Sequence, residues 1–368
     1  MAYGLINSDT MADSSGGVMS PISSVMRNRI INGSMTIDQR NAGASGTGTN
    51  VYTVDRWSYS ASQTGKLTWQ QNAGSVTPPA GFSNYLGFTS SSAYSIGASD
   101  YFFVYQPIEG FNTADLGFGT ANAKTVTLSF QVYSSLTGTF GGALKNGANN
   151  LAYPFTYSIP VANTWTTISV TIAGPTSGTW VGATNGVGLF VQFGLGAGSS
   201  FSGTAGSWQS GNLVSATGAT SVVGTSGATF YITGVQLEKG SSATGYEYRQ
   251  YQQELALCQR YFSKTYDIAT VPGTATFSGA ITSRVGSTEN YAYAGYFTFP
   301  VSMRTNPSIT IYSPLTGASA YGSNNIIGNF SAATTQPAGT AGVNIQANNT
   351  STSAQSSNYA HVVATAEL

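Results

Sequence analysis

A chain with a single histidine, His361, and a single cysteine, Cys258, has little with which to do nucleophilic or metal chemistry. The two lie roughly a hundred positions apart. A zinc site needs three or four nitrogen and sulfur ligands, and a thiol nucleophile needs a base beside it, so neither is expected. Carboxylates are the next candidates. Between Asn146 and Leu237 there is no Asp, Glu, Lys, Arg or His. Glycoside hydrolysis generally uses two carboxyls flanking the bond; Asp38, Asp55, Asp100, Glu109, Asp115, Glu238 and Glu247 all fall outside that stretch, and nothing in the sequence places two of them together. Asp55 is read as the structural partner of Arg56 or Arg40 beside Trp57. No G-x-S-x-G elbow surrounds a serine. GLGAGSS (Gly194 to Ser200) lacks the lysine of a phosphate loop and precedes no helical pattern. The expectation is a protein that is not an enzyme, with no catalytic residue, no metal and no cofactor.

An uncharged, aromatic-rich surface can instead hold sugars, because Trp and Tyr combine a flat apolar face with a polar handle. Trp180 and Trp208 sit in Gly/Ser/Thr-rich stretches away from alternating strands, which makes them candidate glycan platforms. The competing reading is that they plug a sandwich end or a subunit interface. Trp57 and Trp165 begin strands and are expected in the core; Trp69 is left open.

Composition agrees with this direction. Charged residues make up 7%, with Lys+Arg 13 against Asp+Glu 13, where about 25% charge is usual. Such a neutral chain has no electrostatic footprint for nucleic acid. Aromatics at 12% supply cores that a disordered chain would lack. One cysteine allows no intrachain disulfide. The first residues show no basic and apolar pattern of a signal peptide, and no apolar run is long enough to cross a membrane.

Those aromatics must be positioned by strands. In KTVTLSFQVYSS, Val126, Leu128, Phe130 and Val132 share one parity; Val187, Leu189, Val191 and Phe193 do so in VGLFVQFGLG, and Ile168, Val170 and Ile172 in WTTISVTIAG. Period-two runs between Gly/Ser/Thr/Asn clusters predict an antiparallel sandwich of about eight strands. In FYITGVQL the inward parity switches from Phe230/Ile232 to Val235/Leu237 across Gly234, which predicts a β-bulge. YRQYQQELALCQRYF changes to three- and four-residue steps: Tyr248, Tyr251, Leu255, Cys258 and Phe262 predict one helical face, with Leu257 and Tyr261 beside it. Its cover would come from flanking domains or from copies of itself. Strands resume after Lys264, with Tyr291, Tyr293, Phe297, Phe299, Val301 and Met303 on one parity.

Several blocks are long enough to carry a resemblance: NRIINGSMTIDQRNAG, YTVDRWSY, GLFVQFGLGAGSSFSGTAGSWQSGN, FYITGVQLEKG and ELALCQRYF, with FPVSMRTNPSITI and the terminal ATAEL. Together they resemble bacteriophage virion proteins, the tail-fibre and minor structural proteins that carry a jelly roll like that of carbohydrate-binding modules. The resemblance covers most of Asn28 to Phe262 and implies an all-β fold: a jelly-roll antiparallel β-sandwich, one interdomain α-helix and a second smaller β-domain. It brings no catalytic residues. The expected boundaries are an attachment arm at 1–27, the sandwich at 28–248, a linker helix at 249–264 and the C-terminal β-domain at 265–368. The expected role is a non-enzymatic virion protein made in the host cytoplasm, a trimeric fibre or appendage. Its expected partners are copies of itself through Tyr251, Leu255, Cys258 and Phe262, other virion proteins through the arm, and host-surface carbohydrate, with no membrane insertion. The alternative is an architectural capsid-decoration or tail-connector protein without receptor binding.

Overall fold

The structure, a computed structural model, describes residues 27–284, 292–324, 328–331, 337–347 and 357–368. The expected arm, apart from Arg27, and Tyr291 lie outside the described residues. The chain divides into two compact units. The first comprises 27–36, Ser45–Val51 and Trp57–Arg249; the second comprises Ile37–Ala44, Tyr52–Arg56 and Gln250–Leu368. This differs from a simple serial division, because two short segments near the N-terminus belong with the C-terminal unit.

The first unit is an antiparallel β-sandwich. Six of its strands run side by side in the order Trp57–Ala61, Tyr101–Glu109, Val187–Ala197, Gly138–Asn146, Leu151–Ile159 and Gln209–Ser210. Five more form the second sheet: Leu67–Gln71, Leu86–Ser90, Thr229–Lys239, Val126–Ser134 and Thr166–Ile172. That is more strands than the eight expected, but the predicted inward parities hold. Leu128, Val132, Leu189, Val191 and Phe193 are fully buried. Trp57, Phe102, Phe130, Phe155 and Phe230 complete the layer between the sheets, with Phe130 and Phe193 edge to face at 4.9 Å. Each fully buried ring of this kind stabilises the fold by roughly 1.5–3 kcal/mol through its apolar area.

The predicted bulge is present. Pairing between Thr229–Lys239 and Val126–Ser134 skips between Thr233 and Gln236, and Gly234 adopts φ 61°. A β-carbon there would lie 2.6 Å from the Phe82 ring. Asn28 satisfies the backbone that the bulge leaves over. Its Nδ2 donates to Val235 O (3.1 Å), and its Oδ1 accepts from Leu237 N (3.1 Å) and Ile30 N (2.9 Å). The motif NRIING is therefore the strap that fits the bulge in FYITGVQLEKG.

In the second unit the strand Ser357–Thr365 is the hub, pairing with Phe262–Lys264, Ile281–Arg284, Ser308–Tyr312 and Tyr321–Asn324. Ala292–Thr298 pairs with Gly342–Ala347. Phe299, Met303, Ile311, Ile345 and Val362 form its core. The one α-helix among the described residues is Tyr251–Gln259. It belongs to this unit and is shorter than the 249–264 expected. Leu255 and Cys258 are on its buried face, whereas Tyr251 is 45% exposed. Phe262 is not helical: it opens a strand and pairs with Thr365. The aromatic spacing continues the helical period, but pairing with the hub strand overrides it.

Candidate functional site

The strand Tyr101–Glu109 is apolar on both parities. Phe102, Val104 and Ile108 face the core, so Tyr101, Phe103 and Tyr105 must face outward from the sheet. They are joined by Phe190 of the neighbouring strand, whose alternate residues Leu189 and Val191 point inward. The outward rings form a continuous stripe. Successive centroids are 5.7 Å (Tyr101–Phe103), 5.3 Å (Phe103–Tyr105) and 5.9 Å (Tyr105–Phe190), and Phe201 closes one end 4.8 Å from Tyr101. From Tyr101 to Tyr105 the stripe runs roughly 13 Å at the antiparallel rise of 3.4 Å per residue. Phe103 is 8% exposed and the other four rings are half-buried.

Polar walls flank it. On one side Ser58 and Ser60 lie on the same face, donating to Val51 O (3.1 Å) and Asn50 Oδ1 (2.6 Å). On the other side residues 201–216 cross the sheet, held by Val214 N to Phe201 O and Thr217 N to Gly203 O, both 2.8 Å. Gly141 and Gly194 permit that crossing, since a β-carbon at either would lie within 2.6 Å of the Ser215 hydroxyl.

Beside the stripe stands Lys145, 4% exposed. Its Nζ donates to Asn212 Oδ1 (2.6 Å) and lies 5.1 Å from the Phe190 ring centre. With the Gln192 amide donating to Leu213 O (3.2 Å), the Gln192 oxygen accepts from the same Nζ at 3.3 Å. No carboxylate comes within ion-pair distance of Lys145 among the described residues. Burial pulls its pKa down from the usual lysine value to about 8.

The two tryptophans singled out from sequence come together, but as a plug. Trp180 and Trp208 meet edge to face at 5.5 Å, with Phe118 at 4.9 Å from Trp180 and Tyr153 at 5.5 Å from Trp208. Both are half-buried, and their indole N–H groups donate to the backbone at Ser177 O (3.1 Å) and Ala173 O (2.7 Å). They fill the edge where the last strands of both sheets meet, the edge of one ring against the face of the other and both handles already used. Trp57 is core, as expected, and Trp69 is buried. Trp165 is not in the core: it is half-buried outside the five-stranded sheet, against Tyr85 and Tyr133. That outer patch is covered by its own chain, since Tyr85 donates to Ala73 O (2.6 Å) and Ala73 sits over Tyr231.

The carboxylates are occupied by local structure. Asp115 pairs with Arg29 (2.8 Å) and Lys239 (3.1 Å), Glu238 accepts from Thr244, and Asp100 from Ser62, Gly97 N and Tyr94. Asp38 and Asp55 belong to the second unit. Burial pushes Asp55 up to about 6, against the pull of Arg40 at 3.4 Å. Of the two arginines expected beside it, Arg40 is thus at ion-pair distance, and Arg56 pairs with Glu367. Burial likewise raises the Cys258 thiol well above its ordinary value, so it stays a neutral packing group. Among the described residues no three His, Cys, Asp or Glu side chains gather to hold a metal. Leu255, Cys258 and Phe262 are buried within this unit, and only Tyr251 of the expected contact face is exposed.

No family model matches the chain, and no curated protein does. Solved structures similar to it include the enzymatically active domain of tailspike protein 4 of bacteriophage CBA120, with 14% identity, a TM-score of 0.33 and 61% of this chain covered. The chain spans 22% of that protein. Another is TmCBM61 in complex with β-1,4-galactotriose, with 10% identity, a TM-score of 0.30, 58% of this chain and 99% of that one covered. A third is a putative sugar binding protein from Bacteroides thetaiotaomicron, with 13% identity, a TM-score of 0.33, 58% of this chain and all of that one covered.

Proposed function

We propose that the first unit is a non-catalytic carbohydrate-binding module, and that sugar rings lie along the Tyr101–Phe103–Tyr105–Phe190 stripe. The observation that carries this is the placement of those rings. The inner face of the same strand already supplies the core, so the outer rings are not needed to complete it. The partly exposed rings of Tyr101, Tyr105 and Phe190, packed about the buried Phe103, offer apolar area to the C–H patches of a sugar. Asn212 and the two tyrosine hydroxyls offer neutral hydrogen bonds around them. Nothing in the arrangement activates water or a glycosidic oxygen.

The motif resemblance supports the setting: a bacteriophage virion protein of the tail-fibre or minor structural class, made in the host cytoplasm and assembled as a trimer. Many copies on one particle would replace single-site affinity by avidity. The test is binding of the labelled full chain to immobilised bacterial surface polysaccharides, before and after periodate cleavage of their sugar diols. Retention that periodate abolishes and that Tyr105→Ala weakens supports the module. No retention on any polysaccharide overturns it and favours the architectural alternative.

A further inference from the structure

Two lysines of this chain are buried, and they are treated differently. Lys264 spends its three N–H groups on three carbonyls, Gln39 O (2.6 Å), Ile268 O (3.0 Å) and Thr270 O (2.6 Å). Asp55 and Asp38 add favourable charge nearby. Lys145 has two side-chain amide oxygens, from Asn212 and Gln192, and no anion. A buried ammonium is costly unless it is paired and fully hydrogen-bonded. The chain around it supplies no negative charge: residues 146–237 contain none. The groups facing it are Phe190 and Gln192 from one neighbouring strand, Ala152 from the other and Asn212 from the crossing segment. Beyond Phe190, the titratable groups on the same face of the next strand are Tyr101, Tyr105 and Glu109, and no ion pair joins Lys145 to a carboxylate among the described residues.

We infer that Lys145 is the acid-recognising group of the aromatic stripe, and that the preferred ligand carries one anionic substituent, a carboxylate or a sulfate ester, on a sugar stacked at Phe190 and Tyr105. This deepens the proposed carbohydrate-binding role and rests on it. The geometry supplies the reach. Phe190 and Lys145 are register partners on adjacent strands, and the Nζ stands over the ring on which a sugar would lie. Asn212, the exposed residue that holds the Nζ, is on the segment forming the groove wall. An acidic group entering beside Asn212 would take the remaining donor and neutralise the charge.

The experiment uses the full chain, polysaccharides containing uronic acids, and the same polysaccharides after reduction of carboxyl to alcohol. A parallel arm uses sulfated polysaccharides before and after desulfation, which separates the two sources of the acid. The expected result is affinity about tenfold or more weaker when the acid is removed, matching loss of a charge-assisted hydrogen bond. Lys145→Met should lose the same preference and Lys145→Arg should keep part of it. Should Lys145→Met fold poorly, the wild-type chain still gives the answer. The ammonium is present below about pH 8 and lost above it, so binding of the acidic form should fall as pH rises through that range while binding of the neutral form stays level. Equal affinity for acidic and reduced forms overturns the inference and leaves the module intact. No affinity for either removes the module and the inference with it.

Discussion

The second unit contains a closed polar node, and the outer face of the first contains an open one; the contrast separates architecture from function. In the closed node Arg40 joins Asp55 to Glu367, and Arg56 pairs with the same Glu367. Gln39 donates to Asp55, Arg304 to Ala366 O and Glu367 O, and Asp38 accepts from Asn41 N and Gly43 N. The guanidinium groups of Arg40 and Arg56 lie over the Phe262 and Tyr261 rings at 3.9 and 3.5 Å. These are the residues of TIDQRNAG, VDRW, QRYF and ATAEL, so the most recognisable motifs of the chain mark a structural joint. The open face has a stripe of partly exposed aromatic rings and one cation without an anion. Phe190, Gln192, Phe201 and Asn212 fall within GLFVQFGLGAGSSFSGTAGSWQSGN, whereas Tyr101, Phe103, Tyr105 and Lys145 fall in none of the motifs.

The largest effect should come from breaking the closed node. Arg56→Met leaves the buried Glu367 carboxylate with Arg40 alone, and loss of one member of a buried pair costs about 3–5 kcal/mol. Denaturant unfolding should show a shift of that size; a change under about 1 kcal/mol would mean the node is looser than its geometry. Next, Gly234→Ala forces a side chain into φ 61° and onto Phe82, and should destabilise the sandwich by about 1–3 kcal/mol. An unchanged denaturation midpoint would contradict the bulge geometry.

Smaller effects sharpen the comparison. Tyr105→Ala should weaken polysaccharide binding about tenfold, as loss of an aromatic anchor does, with little change in stability. Trp208→Ala should do the reverse, because its ring and its N–H are spent inside the protein. If titration calorimetry finds the opposite ranking, the plug is the site. The last is a pH effect. His361 is buried, stacked 3.6 Å on Tyr266, and bonded to Thr265 Oγ1 and Thr276 O at 2.9 Å each. Burial lowers its pKa below the ordinary value. Its contribution is therefore present above about pH 6.5, the unfolded value, and is lost as pH falls through the lower folded value. Unfolding of the second unit followed against pH should show this acid loss, and His361→Gln should flatten it.

Much of the sandwich was legible because its signal is local. Alternation at 126–132 and 187–193 needs only the chain itself, and the parity switch at Gly234 needs only one strand. The outer stripe left a signal too: YFFVY is aromatic on both parities, and a sandwich strand with one face in the core must present the other. Lys145 was not legible. Its burial comes from a cross-strand partner 45 positions away and a crossing segment, neither of which a strand pattern reports. For Trp180 and Trp208 the sequence left two readings, platform or plug, because a Gly/Ser-rich context does not tell an exposed ring from one closing an edge; their mutual contact and their N–H bonds to backbone carbonyls favour the plug. Phe262 was misplaced in the helix for a related reason: its period fits, and only pairing with Thr365 decides otherwise.

The central claim is that sugar lies on the stripe. Hydroxyl-radical footprinting of the full chain, read by mass spectrometry with and without the polysaccharide it retains best, tests it directly. Protection of Tyr101, Tyr105 and Phe190, with Trp180, Trp208 and Tyr251 unchanged, is the predicted result. Protection of Trp180 and Trp208 with the stripe unchanged would contradict it.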